Sequence, residues 1–163
     1  MDPATGLKVF HALSGALLLG GLVARWVSLG AASQAAEIHD VRTLLGVSSR
    51  FERLVIAMFF LVGILGVGTA VVQGRPFLGP LQGHHVDWLF VSFVLYVLTI
   101  PLVPLVFVPR GRVFGAALEA AGDSGPVPDD LRAAFRDRAV LAAHLFELIG
   151  VFVVFALMVG KPF

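Results

Sequence analysis

Cysteine is absent from all 163 residues, which removes disulfides, thiolate metal sites, iron–sulfur clusters and covalent haem attachment through Cys-x-x-Cys-His. Charge is scarce too, at 14% of residues, against about 25% in an ordinary soluble domain. There is no Gly-rich phosphate loop, no His-Glu-x-x-His, no nucleophile elbow and no convincing pair of catalytic carboxylates. The common phosphoryl-transfer and hydrolytic chemistries therefore have no motif to rest on. A helix-breaking ion path through discontinuous segments is not evident, and four helices are few for a transporter monomer.

What is abundant is hydrocarbon. Hydrophobic residues make up 58% of the chain and the mean hydropathy is +0.91, more than a soluble domain of this length buries in one core. Four apolar runs stand out, at roughly Leu7–Ala24, Leu54–Val72, Trp88–Val108 and Ala139–Val159. Each is long enough to cross a hydrocarbon core of ~30 Å as a helix. The expectation is an all-α integral membrane four-helix bundle, one transmembrane domain over 1–163, with helices near 7–30, 53–73, 87–109 and 131–160. The polar start Asp2–Thr5 and Lys8 lead directly into the first run without a convincing small-residue cleavage site, so this run reads as a mature helix rather than a signal peptide.

The cations fix an expected orientation. With both termini on one side, that side receives Lys8, Arg75 and Lys161. The other receives Arg25, Arg42, Arg50, Arg53, Arg110, Arg112, Arg132, Arg136 and Arg138. The positive-inside rule puts the arginine-rich side in the cytoplasm and both termini outside, in a bacterial inner membrane. Arginines that topology alone demands give no reason to expect nucleic acid as a partner. The lipid bilayer is the expected environment, and a homo-oligomer or larger membrane complex the expected assembly.

Between the runs, Gln73–Asp87 carries Gly74, Pro76, Gly79, Pro80 and Gly83 and should be irregular. Ser33–Ser49 has the composition of a short interfacial helix. Val113–Ala121 starts helically and breaks at Gly122–Pro128, after which Asp129 and Asp130 resemble a cap for a long last helix from about Leu131. Pro101 and Pro104 should bend the third helix and free the carbonyls of Val97 and Ile100, with Pro109 helping to end it. Those carbonyls then need neighbouring helices or trapped water. Ala12, Ala16, Gly20, Ala24 and Ser28 form a small-residue seam on the first helix, and Gly63, Gly66 and Gly68 a similar one on the second. Such seams let another backbone or a flat cofactor approach. Trp26 and Trp88 sit where interfacial anchors would.

Polar residues within the apolar runs are few, and burying them in lipid is costly, so they are the functional candidates. His11 lies about a turn inside the first helix with Gly15 a turn further on the same face. A neutral imidazole is a ready axial ligand for haem iron, and a glycine beside it leaves room for the macrocycle. The plainer alternative is an interfacial histidine bonded to a neighbouring helix. His144 and Glu147 share one face of the last helix, with Arg25 at similar depth. They suit a metal site, a proton-carrying group, or, most simply, a cluster in which Glu147 neutralises Arg25 and accepts a hydrogen bond from His144. Counting 1.5 Å per residue separates His11 and His144 by on the order of 10–20 Å along the membrane normal, so they cannot share an ion. A second ligand for His11, to iron or another metal, would be His84 or His85, unless these form a solvated loop pair.

The opening Lys8-Val9-Phe10-His11-Ala12-Leu13, running into Gly20-Gly21, and the closing Leu157-Met158-Val159-Gly160-Lys161-Pro162-Phe163 resemble the first and last helices of a bacterial four-helix family of predicted integral membrane proteins of unknown function. More distantly the chain is similar to HemJ-type protoporphyrinogen oxidases, which begin with a Lys-x-x-His helix and end in Lys-Pro-Phe, and to CopD-type membrane domains. The HemJ-type resemblance implies that His11 is a haem b ligand. That family has a third-helix lysine after Trp-Leu-His and an Asn-Glu stretch before the last helix. Here His85-Val86-Asp87-Trp88-Leu89-Phe90-Val91 and Arg136-Asp137-Arg138-Ala139 stand in those places, which speaks against porphyrinogen oxidation.

Two readings follow. In one the chain is a small haem b or metal-binding electron-transfer protein using His11; in the other it is a non-catalytic structural or accessory subunit.

Overall fold

A computed structural model of the chain describes residues 2–162, and everything it describes is helix, turn or loop apart from one isolated bridge between Glu37 and Pro126. Helices α1 (Pro3–Gln34) and α2 (Ile38–Val72) form a long antiparallel hairpin. After a 3-10 turn at Gly79–Gln82 come α3 (Trp88–Thr99), a π turn (Val103–Phe107) and α4 (Val108–Ala120), then α5 (Asp129–Phe135) and α6 (Arg138–Gly160). Counting α3–α4 and α5–α6 as continuous rods, four stretches are long and apolar enough to cross a membrane. Only 11–22% of their most apolar windows is buried, so most of the hydrocarbon faces outward, where lipid solvates it. This is an all-α four-helix membrane bundle.

The rods overhang the membrane. Thirty-five residues of α2 rise about 52 Å, well beyond a ~30 Å core. The interfacial helix expected over Ser33–Ser49 is therefore the first three turns of α2, separated from α1 by Ala35–Glu37 alone. No proline interrupts the segment, so nothing stops a helix from propagating through its polar residues.

Pro109 does not end the third rod. It lies in the first turn of α4 directly after the π turn, whose altered hydrogen-bond register admits a residue without an N–H, and the helix runs on to Ala120. The carbonyls that Pro101 and Pro104 free are satisfied within the chain: Ile100 N–H donates to Val97 O at 3.1 Å and Val103 N–H to Ile100 O at 3.3 Å. Local tightening and the π turn take the place of the neighbours or water that the sequence suggested. The last rod also differs. Pro128 precedes α5, with Asp129 and Asp130 in its first turn rather than capping it, and the rod breaks at Asp137. The Asp137 carboxylate accepts from Ala139 N–H at 2.9 Å and Val140 N–H at 3.3 Å, restarting the helix as α6.

Beyond the bilayer on the arginine-rich side is a small dry core. Ile38, Val41 and Leu131 are 0% exposed and Val127 joins them, with Phe114 and Phe135 edge to face beside them. Ile38 N–H donates to Gly125 O and Val127 N–H to Ala36 O, lacing the loop to the hairpin. Arg42 fastens the end of α4, donating to Gly122 O at 2.6 Å and Leu118 O at 3.1 Å.

Within the bilayer α1 packs along α2, and α3 along α6, while α2 and α3 touch little. The close α1–α2 approach uses Gly21, where a Cβ would stand 3.0 Å from Val55 Cγ2. The expected first-helix seam is split, with Ser28 buried, Ala24 half-buried and the rest exposed. Ala12, which also borders the internal cavity, Ala16 and Gly20 are exposed, and nothing lies within 4 Å of a Cβ built on Gly20. On α2, Gly63 and Gly66 do receive neighbours, Tyr96 and His11, while Gly68 does not.

Candidate functional site

The light contact between the two helix pairs leaves a cavity of about 380 Å3 at the end of the bundle where the termini lie. That is within the ~300–1,000 Å3 of ordinary ligand pockets. Each rod contributes a wall: His11, Gly15 and Leu18 from α1; Phe59, Gly66 and Thr69 from α2; Trp88, Ser92 and Tyr96 from α3; Gly150, Val154 and Met158 from α6. The walls are mostly apolar, and Lys8, Arg75 and Lys161 line the same space.

His11 lies inside this cavity. Its ring packs over the bare backbone of Gly66, where a Cβ would come within 3.0 Å of Cε1. The His11 Nδ1 and the Thr69 hydroxyl are buried without a hydrogen-bond partner among the described residues. Such atoms lose water's hydrogen bonds and gain nothing in return, a cost that a bound group with a polar atom would relieve. Gly15 lines the cavity with nothing within 4 Å of where its Cβ would be, so the space expected beside His11 is there. Its expected partners are elsewhere. His84 and His85 are exposed in the loop before α3 and take no part in the lining. Their backbone is spent on the turn: His84 N–H donates to Gly79 O at 3.1 Å, and Asp87 caps α3 through Phe90 N–H at 2.8 Å. Among the described residues, no three of His, Asp and Glu stand close enough to hold a metal ion.

Trp88 is not the interfacial anchor its position suggested. It is 8% exposed, inside the bundle, with Arg75 Cζ and Lys161 Nζ each 5.8 Å from the centre of its indole. At the other side of the cavity the Tyr96 hydroxyl donates to Phe59 O at 3.1 Å and its ring stacks on Phe59, centroids 4.5 Å apart. Tyr96 also borders a groove on the outer face, shared with Phe60, Gly63, Ile64 and Val67.

Two turns towards the arginine-rich side is a second polar group. The Arg25 side chain, 5% exposed, is bonded to Glu147 and to Glu52 Oε2 at 2.6 Å. Its Nη2 also lies 3.0 Å from His144 Nδ1. Arg25, His144 and Glu147 are thus brought together, but with Arg25 at the centre. His144 Nδ1 is 3.8 Å from Glu147, too far for the hydrogen bond expected between them. A guanidinium only donates, so Nδ1 accepts from Arg25 and the His144 proton sits on Nε2. Phe107 stacks on His144 at 4.7 Å and Trp26 meets it edge-on at 6.3 Å.

Sequence reasoning missed Glu52. Between Arg50 and Arg53 it reads as part of a solvated basic rim; only its place one turn before Val55 on the buried face could have singled it out. Between cluster and cavity Leu18, Leu22 and Val55 form an apolar septum, backed by Met58, Phe59 and Leu148.

Fold and cavity together define a four-span helical membrane protein with an internal chamber open at one end. The chain belongs to the family described as predicted integral membrane protein (DUF2269), whose model matches residues 5–162. No curated protein and no solved structure matches it, so the more distant resemblance to HemJ-type and CopD-type proteins gains no support from these comparisons.

Proposed function

We propose that this membrane protein is a small electron carrier whose terminal-end cavity would take haem b, with His11 as the residue that would hold it. The observation that carries the reading is His11 itself, an imidazole in an apolar chamber with a buried, unpartnered nitrogen and open space beside Gly15. The lining fits such a group. His11 would hold the iron, and Lys8, Arg75 and Lys161 would face its acidic propionates. Bound there, haem supplies reversible one-electron chemistry; the protein's part is to keep that group dry and to offer a single histidine. The proposed setting is the bacterial inner membrane with the arginine-rich end in the cytoplasm, which puts the cavity mouth outside. Detergent-purified protein should be coloured, with a Soret band that shifts on dithionite reduction and disappears in His11→Ala. A colourless protein that takes up no added haemin overturns the reading.

A second reading is favoured by the exposed strip Ala12, Ala16 and Gly20, a surface suited to close approach of another helix. In it the chain is a structural or accessory subunit, assembled with itself or with a larger complex. Gly20→Leu should then lower the assembly mass measured by light scattering in detergent, and an unchanged mass overturns it.

A further inference from the structure

The terminal end carries three cations, and all three line one cavity. The ion pairs among the described residues involve none of them, so none of the three has a carboxylate within 4 Å there. Helix dipoles account for part of this. Arg75 and Lys161 follow the C-termini of α2 and α6, where positive charge is favoured. Lys8 is in the second turn of α1, near an N-terminus, where the dipole opposes it.

Backbone geometry aims the other two. Gly74, at φ +63°, closes a Schellman turn in which Arg75 N–H donates to Ala70 O at 2.9 Å and Gly74 N–H to Val71 O at 3.0 Å. Lys161 ends α6 in the left-handed conformation, φ 43°, at a cost that glycine there would avoid. Both turns bring a cation to the Trp88 indole, so two like charges flank one buried ring. Below them the walls are mostly hydrocarbon, with the hydroxyls of Thr69, Ser92 and Thr99 among them, and Tyr96 and Gly63 stand on the α2–α3 side towards lipid.

We infer that the cavity binds an amphiphile with an acidic head group, its head held by Lys8, Arg75 and Lys161 and its apolar body lying beside His11 and Gly15. The ligand comes sideways from the bilayer between α2 and α3, past Tyr96. The inference shares the cavity with the proposed function and needs no iron. Haem propionates and the carboxylate of a membrane fatty acid offer the same chemistry, an acid on an apolar body, and the test separates them.

Trp88 is one of two tryptophans, so a full-length Trp26→Phe protein reports on the cavity alone. In detergent it is titrated with dibrominated stearic acid, whose bromines quench indole on contact, with its methyl ester, and with haemin. The acid should quench saturably and bind about tenfold more tightly than the ester. Arg75→Gln with Lys161→Gln should bring the acid down to the ester's affinity and leave the ester unchanged. Tyr96→Phe, which frees the ring from the Phe59 carbonyl, should speed the onset of quenching several-fold at equal amplitude. If Trp26→Phe disturbs the His144 ring it contacts, Trp26→Tyr, which keeps a larger aromatic edge there, serves instead. Equal affinities for acid and ester, or rim variants that shift neither, overturn acidic-head recognition; an unchanged onset in Tyr96→Phe overturns the sideways path. Acid binding that survives His11→Ala, in a protein whose native form takes up no haemin, removes the haem reading and leaves this one standing.

Discussion

At the arginine-rich end Ile38, Val41 and Leu131 are sealed from solvent, Arg42 closes the carbonyls of α4, and Arg25 is shared between two carboxylates. At the terminal end a chamber of about 380 Å3 remains, Nδ1 of His11 has no partner, and three cations surround the mouth without a carboxylate beside them among the described residues. The same four rods build both ends. Their difference teaches where the fold gains its stability and where it has been left open, since packing to full density is what helices do when nothing else is to be accommodated.

Several substitutions test that contrast. The largest effect is expected at Arg25. Arg25→Met leaves Glu52 and Glu147 close together and the buried one uncompensated, a loss of about 3–5 kcal/mol. The midpoint of unfolding by sodium dodecyl sulfate reads it, and a shift below about 1 kcal/mol would mean that water reaches the cluster freely. Leu131→Ala opens a hole in the sealed core outside the bilayer and should cost about 2–5 kcal/mol. Hydrogen exchange should locate the loss in α5 and at the Ile38 and Val127 amides, with α3 unaffected.

Arg42→Ala strips the end of α4 of its donors. The side chain is about a third exposed, so the loss is on the order of 1 kcal/mol, visible as faster proteolysis near Gly122. The smallest effect has the opposite sign. Gly15→Ala adds a methyl where nothing stands within 4 Å, which should raise stability by about 0.5–1 kcal/mol through helix propensity. A higher melting temperature together with weaker haemin uptake would show that the open space is held for a ligand. If this variant is destabilised instead, the terminal end is packed more tightly than described.

The spans were legible because lipid imposes a blunt requirement, long apolar runs with few charges, which Leu54–Val72 and Trp88–Val108 meet on their own. Helix ends were not. The sequence cannot tell a proline that stops a helix from one that begins the next, so Pro109 looked terminal, and Asp137 did not announce a break. The cluster was half legible. His144 and Glu147 share a face by their spacing, and Arg25 follows from depth, but the centrality of Arg25 and the presence of Glu52 depend on how α1, α2 and α6 rotate against each other. Rotation also decided the small-residue seam, since a four-residue repeat gives a stripe without saying whether it faces a helix or lipid. The cations of the cavity were counted for topology alone; that they converge depends on the turns at Gly74 and Lys161.

The septum of Leu18, Leu22 and Val55 separates the two ends of the bundle. From Leu18 to Arg25 is seven residues, about 10 Å of rise, so these apolar side chains stand between the buried charge and the chamber. A substitution at either end should therefore be felt at the other only through the packing of these three side chains.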